Sequence, residues 1–336
     1  MRAITEWRRA QYKTGRVDFP QQRSTRRSTV VRSHGMSEIR DCLPPDRNPR
    51  RPGFALPRGS IDTHVHVFEP GYALSPGRGY NPPYSTLADL KHMHATLGID
   101  RVVFTQPSVY GTDNSAILNA MAALNAQTSD RARAIVALDM DITEKQLAAL
   151  DASGVRGVRL NTDNKGGMPI EIAEIPELAA RIRPFGWHLE FLFPGKDIVE
   201  LMPVFTALKV PMSIAHFAYQ PASAGLKAAG FRALIELARR ENTWIKISGA
   251  NRVSATDLPP YDDVKPMAHA LIAAAPGRIM WGTDWPHPNK YVANPNDGDL
   301  VDAFGDWVSD DRMRRKIMVD TPAAFYRFAA PVAIRA

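Results

Sequence analysis

The stretch SIDTHVHVFEP sets Asp62, His64 and His66 at alternate positions of an apolar run. On a β-strand, alternate side chains share one face, so the two imidazoles would stand side by side. Such a pair can clamp a metal ion or donate hydrogen bonds to a carbonyl under attack. Two further segments offer partners. In IMWGTDWPHP, Asp284 follows an apolar strand pattern and could act as a general base or a metal ligand. In PMSIAHFAYQP, His216 ends another apolar run. A lone histidine there is usually a satisfied core residue, but its place at a strand end, shared with His64 and Asp284, gives it a part in the same site. His34, His92, His94, His188 and His269 fall in the tail, on helix patterns or at a strand start, and read as structural. His287, just beyond Asp284, either supports its loop or touches a substrate.

These residues need a scaffold that brings them to one mouth. Apolar runs at 61–68, 101–107, 133–139, 155–161, 187–194, 211–217, 244–251 and 279–286 alternate with helical patterns such as LADLKHMHATLG and FRALIELARRE. Several helical stretches open with Thr, Asp or Ser and close near Gly or Pro. Eight strand–helix units over roughly 260 residues predict an α/β chain folded as a single-domain (β/α)8 TIM barrel. An open doubly wound sheet competes, but the regular units and the lack of a Gly-rich phosphate loop argue against it. In a barrel the site lies where strands run into their following loops. His64, His66, Ser108, Arg159, Asn161, His216, Arg252 and Asp284 all fall there.

The 336 residues are 44% apolar and 23% charged, as in ordinary soluble proteins, and no apolar run is long enough to span a bilayer. A single cysteine, Cys42, excludes an intrachain disulfide. Nine Lys and Arg residues against Glu6 and Asp18 in residues 1–35 account for the whole net charge of +7. The basic character therefore belongs to a tail, and the body has no basic stripe with interleaved aromatics, which speaks against a nucleic-acid partner. The Arg- and Pro-rich composition of residues 1–52 predicts a disordered extension, with 53–336 as the barrel. Residues 1–35 read as a non-native leader ahead of a start at Met36. Without a secretory apolar core, the expected location is cytoplasmic, with no membrane partner.

Taken together, DTHVH on the first strand, a histidine ending the sixth and GTDWPHP on the last resemble the amidohydrolase superfamily. With SVYGTDNSAIL, RGVRLN, GWHLEF and IKISGANR, the chain is most similar to the lactone-hydrolysing branch that acts on pyrone dicarboxylates, from Pro57 to the C-terminus. The resemblance implies a hydrolase that opens a carboxylated lactone in aromatic-compound catabolism. It casts Asp284 as the base that deprotonates water, and His64, His66 and His216 as the groups that polarise the carbonyl. Arg159 and Arg252 resemble arginines that grip substrate carboxylates, which a planar guanidinium pairs bidentately. Ser108 and Tyr80 match substrate-contacting positions. Three positions depart from the branch: Lys165 stands for another arginine, Tyr110 for a histidine and Leu192 for a tyrosine. Lys165 and Tyr110 are expected around the substrate all the same.

Metal-dependent members of the superfamily add a ligand at the end of the fifth strand, and many add one on the fourth. Here the fourth strand carries Arg159 and the fifth ends in Leu192 and Phe193, with Glu190 deeper and His188 deeper still. The expectation is thus catalysis with no required cofactor. Were a divalent metal such as zinc bound, His64, His66 and Asp284 would hold it, since three protein ligands suffice. The alternative activity is a metal-dependent decarboxylase of the same superfamily.

Overall fold

The computed structural model describes residues 39–163 and 170–329. Eight strands form one sheet: β1 (Ile61–Val65), β2 (Arg101–Thr105), β3 (Ala132–Val136), β4 (Val155–Asn161), β5 (His188–Leu192), β6 (Met212–Ile214), β7 (Thr243–Lys246) and β8 (Ile279–Met280). They lie in sequence order and every neighbouring pair is parallel. Each strand is followed by a helix: α1 (Leu87–Leu97), α2 (Ser115–Gln127), α3 (Glu144–Ser153), α4 (Ile175–Ile182), α5 (Ile198–Ala207), α6 (Ala229–Arg239), α7 (Lys265–Ala274) and α8 (Asp297–Trp307). The expected eight-unit barrel is the observed one.

Apart from Arg156 and Trp244 the strands are buried along their length, as RVVFT in β2 and ARAIV in β3 illustrate, because helices cover the outer face and side chains fill the inside. Helix α6 turns Phe231, Leu234, Leu237 and Ala238 inward at helical spacing. Each fully buried Phe or Leu of such a stripe contributes about 1.5–3 kcal/mol. Helices α1 and α3 begin with reciprocal capping boxes, Thr86 with Asp89 and Thr143 with Gln146.

The sheet closes between β8 and β1 through individual bonds rather than a regular ladder. Thr63 N donates to Trp281 O (3.3 Å), Asp284 N to His64 O (3.0 Å) and His66 N to Trp285 O (2.8 Å). Gly282 sits on this seam, where a Cβ would meet His64 N at 2.8 Å and Asp62 Oδ1 at 2.9 Å. Close approach of the two segments therefore requires glycine here.

The ladder stops earlier than the apolar runs predict. The run 211–217 yields only Met212–Ile214, because His216, Phe217, Ala218 and Tyr219 all take φ near +50°. The run 279–286 yields only Ile279–Met280, and Asp284 has φ +64°. Left-handed geometry costs a non-glycine residue about 1–2 kcal/mol, and such strain gathers where side chains must be aimed.

Residues 1–35 lie outside the described residues, but 39–52, grouped by composition with the disordered extension, are laid against the barrel. Cys42 N donates to Asn81 O (2.8 Å), and Leu43 N donates to Lys290 O (3.1 Å). Arg50 N donates to Asn296 Oδ1 (2.8 Å), and the Arg50 guanidinium pairs with Asp299 and Asp302. The compact unit begins at Ile39. No helix among the described residues is long and apolar enough to cross a membrane.

Candidate active site

Asp62, the first member of the Asp-x-His-x-His run, does not face the mouth. Its Oδ1 accepts from His64 N (3.2 Å) and Thr283 N (3.0 Å), and its Oδ2 from Thr283 Oγ1 (2.6 Å) and His94 Nε2 (3.2 Å). One carboxylate thereby ties β1 to the segment after β8 and to α1. That holds in register the two stretches that carry His64, His66 and Asp284.

Above this anchor three imidazoles surround one carboxylate oxygen. Asp284 Oδ1 lies 3.4 Å from His216 Nε2, 3.9 Å from His64 Nε2 and 3.9 Å from His66 Nε2. The His64 ring stands 4.5 Å from that of His216 and 5.1 Å from that of His66, centroid to centroid. The left-handed turn at His216 is what brings its ring over His64. On the far side of the rings, His66 Nδ1 donates to Thr105 O (2.7 Å) and His216 Nδ1 pairs with Ser248 Oγ (2.9 Å).

Burial pushes the His66 and His216 imidazoles down to about 3, with Arg159 adding to the effect on His66 and Asp284 opposing it at His216. Burial, then Lys246 and His216, holds His64 well below its ordinary value. The three rings are therefore neutral, and their approach to Asp284 is not an ion pair. With its one proton committed to Thr105 O, His66 turns a lone pair, not an N–H, toward Asp284. Burial alone would raise the Asp284 carboxyl, but the Arg252 guanidinium beside it holds it well below the usual carboxylate range. The contact is direct: Arg252 Nε donates to Asp284 Oδ2 at 2.6 Å, while Arg252 Nη2 donates to Pro288 O at 3.0 Å.

A small cavity opens on this group, lined among others by His66, Tyr80, Ser108, Arg159, His216 and Arg252. Arg159 Nη1 donates to Gln106 O (2.5 Å), and its Nε has no partner among the described residues. Burial raises the Tyr80 hydroxyl, which bonds with Ser108, so it stays protonated. Of the expected substrate contacts, Arg159, Arg252, Ser108 and Tyr80 line the cavity. Tyr110 stands outside it, packed with Phe68 and Tyr72. Lys165 lies outside the described residues. Leu192 is at the wall, and His287 proves a loop support: its Nε2 donates to Asp297 Oδ1 (3.1 Å) and its N to Asp284 O (2.8 Å).

The structure adds Tyr219 to the residues that the sequence marks. Its ring stacks on His216, with centroids 5.8 Å apart, and it joins the cavity wall through the same left-handed turn. Its only sequence signal was proximity, three residues after a strand-end histidine.

The expectation of a centre with no cofactor is corrected by this geometry. Donor atoms of His64, His216 and Asp284 all lie within 4.8 Å of one another, and all three residues are buried. His64 Nε2 and Asp284 Oδ1 have no hydrogen-bond partner among the described residues, although an orphaned buried polar atom is costly. Two imidazoles and a carboxylate are a donor set that suits a divalent ion, zinc in particular, and catalytic zinc sites use three protein ligands. The donors come from β1 and from the segments that follow β6 and β8, not from β4 or β5. The third residue of this donor group is His216, where the sequence suggested His66, because the turn after β6 carries it across the barrel mouth.

Comparisons with known proteins show the family. Residues 61–328 match the amidohydrolase family. The chain is 33% identical over 289 residues to a 2-pyrone-4,6-dicarboxylate hydrolase of Comamonas testosteroni, covering 83% of this chain and 93% of that one. It is 34% identical over 293 residues to a 4-sulfomuconolactone hydrolase of Hydrogenophaga intermedia, covering 85% and 94%. A crystal structure from Acinetobacter baumannii with citric acid bound superposes with a TM-score of 0.69 at 26% identity, covering 80% of this chain and all of that one. With the fold, the strand-end histidines and the final aspartate in place, the chain belongs to the amidohydrolase family.

Proposed function

We propose that the protein hydrolyses a small lactone bearing one or more carboxylate or sulfonate groups, at a centre built on His64, His216 and Asp284 that takes one divalent metal ion. One observation carries the reading. Two guanidiniums, the buried Arg159 and the partly buried Arg252, share a small cavity with a single carboxylate around which three neutral imidazoles gather. The cationic excess calls for an anionic ligand, and relatives named for hydrolysis of pyrone dicarboxylate and sulfomuconolactone support the ring and its charge.

In this reading Arg159, and the part of Arg252 not bound to Asp284, orient the anionic groups, with Tyr80 and Ser108 donating at the ring. Asp284 Oδ1 receives a proton from water as the oxygen adds to the lactone carbonyl. The ring C–O bond then breaks, and the proton passes to the departing oxygen, giving an open-chain acid. Asp284 alone is a weak base for this step. Ordinary water and a normal aspartate differ by about 12 pK units, or roughly 16 kcal/mol, and Arg252 widens the gap. A divalent ion held by His64, His216 and Asp284 would supply what is missing, by acidifying water and polarising the carbonyl.

A metal-dependent decarboxylase would use the same donors, and the three-ligand group favours its metal requirement over hydrolysis without one. The product separates the two: an open-chain acid with no carbon dioxide supports hydrolysis, and release of carbon dioxide overturns it. For hydrolysis we expect kcat/KM for a dicarboxylated or sulfonated lactone to exceed that for an uncharged lactone by ~10–150-fold per guanidinium contact, or about 1.5–3 kcal/mol. Equal rates on both would sink the anionic-substrate reading.

A further inference from the structure

Directly beneath His64 lies an ion pair that the hydrolytic scheme does not use. Glu190 of β5 and Lys246 of β7 are both fully buried inside the barrel. The Lys246 ammonium donates to Glu190 Oε2 and to Thr63 O (2.7 Å), and Ser213 Oγ donates to the same Glu190 oxygen (3.3 Å). The other carboxylate oxygen, Oε1, has no hydrogen-bond partner among the described residues and lies 3.5 Å from His64 Nδ1. Lys246 Nζ is 3.4 Å from the same ring nitrogen.

An enclosed Lys–Glu pair is poor value as a stabiliser, since well-packed apolar side chains often do as well or better. Its consequence is for His64. Nδ1 faces two competing groups: the ammonium would bind a lone pair there, and the carboxylate would bind a proton. The ammonium has two closer acceptors, Thr63 O and Glu190 Oε2, so only its third N–H is left for the 3.4 Å contact with Nδ1. Glu190 Oε1 has no other donor, and a buried charged acceptor left unsatisfied costs about 1–3 kcal/mol or more. The balance favours the carboxylate, so the ring proton sits on Nδ1 and Nε2 keeps its lone pair.

We propose that Glu190, held in place by Lys246, is a positioning residue that fixes the ring proton of His64 on Nδ1 and so turns Nε2 into a metal-ligating lone pair aimed at Asp284. The proposal rests on the reading of His64 as a metal ligand. It explains the two orphaned atoms together, since His64 Nε2 and Asp284 Oδ1 face each other at 3.9 Å, both as acceptors that a cation between them would satisfy.

The test is a long-range 1H–15N correlation spectrum of the imidazoles in zinc-free protein, with His64 assigned by its loss in His64→Gln. Zinc affinity is measured in parallel by competition with a chromophoric chelator. The native protein should show His64 protonated on Nδ1. The double variant Glu190→Gln with Lys246→Met removes both charges without leaving either unpaired, and should bind zinc about 10–100-fold more weakly. A native His64 protonated on Nε2 overturns the proposal, as does a folded double variant whose zinc affinity is unchanged. If the double variant does not fold, the tautomer of the native protein decides the matter. If the native protein binds no zinc, the metal reading fails, and the tautomer still decides whether Glu190 sets the ring proton.

Discussion

His216 Nε2 stands 3.4 Å from Asp284 Oδ1, and both residues reach that position from left-handed backbone, with φ +51° and +64°. The contact joins the loop after β6 to the loop after β8 across the barrel mouth, and it is the centre of the proposed chemistry. Asp284→Asn keeps the shape but removes the acceptor for a water proton and a charged ligand. Steady-state kinetics should show kcat lower by roughly 10²–10⁴-fold, with metal content reduced as well. An Asn variant of near-native rate would remove Asp284 from the reaction.

Arg159 tests the charge logic separately, because it lines the cavity without touching Asp284. Arg159→Gln should cost about 1.5–3 kcal/mol in binding a dianionic lactone, seen as a ~10–150-fold fall in kcat/KM carried mainly by KM. An uncharged lactone should be affected little. An equal loss on both substrates would mean that Arg159 serves the fold and not the ligand.

Gly249 lies behind His216 with φ +61°, and a Cβ there would stand 2.7 Å from His216 Nδ1. Gly249→Ala should destabilise the protein by about 1–2 kcal/mol from backbone geometry alone. It should also disturb the His216–Ser248 contact and lower activity beyond what the stability loss explains. Denaturant melts and kinetics on the same preparation separate the two effects.

The segment just before the barrel ties two cavity loops together. Asn289 N donates to Cys42 Sγ (3.1 Å), and Asn289 lines the cavity. Cys42 N also holds Asn81 O, next to the cavity residue Tyr80. Removing residues 1–43 should therefore raise KM while leaving the melting transition of the barrel cooperative. An unchanged KM would show that the strap does not position the site.

The sequence made the barrel legible because apolar runs of strand length alternate with helical spacing, and because His64, His66, His216 and Asp284 fall at strand ends. It did not reveal how those ends turn. His216 and Asp284 leave the ladder in conformations that residue type does not announce, so neither the His64–His216–Asp284 group nor the place of Tyr219 is legible in it. Glu190 could be seen to lie deep in the barrel, but its partner Lys246 sits two strands away and meets it only once the sheet has curved. Tyr110 read as a substrate contact through resemblance alone, whereas the short turn over Ser108–Tyr110 carries it into an aromatic cluster. Residues 39–52 looked disordered because they bury little apolar surface. They are held instead by polar side chains such as Asn81, Asn294 and Asn296, a kind of support that composition does not disclose.

The most direct test of the central claim is hydrolysis of a carboxylated or sulfonated lactone, followed by loss of ring absorbance, with metal content measured on the same sample before and after exhaustive chelation. The account predicts turnover by protein carrying one divalent ion per chain, loss of activity as that ion is removed, and recovery when zinc is restored. Undiminished turnover by protein stripped of metal would contradict it.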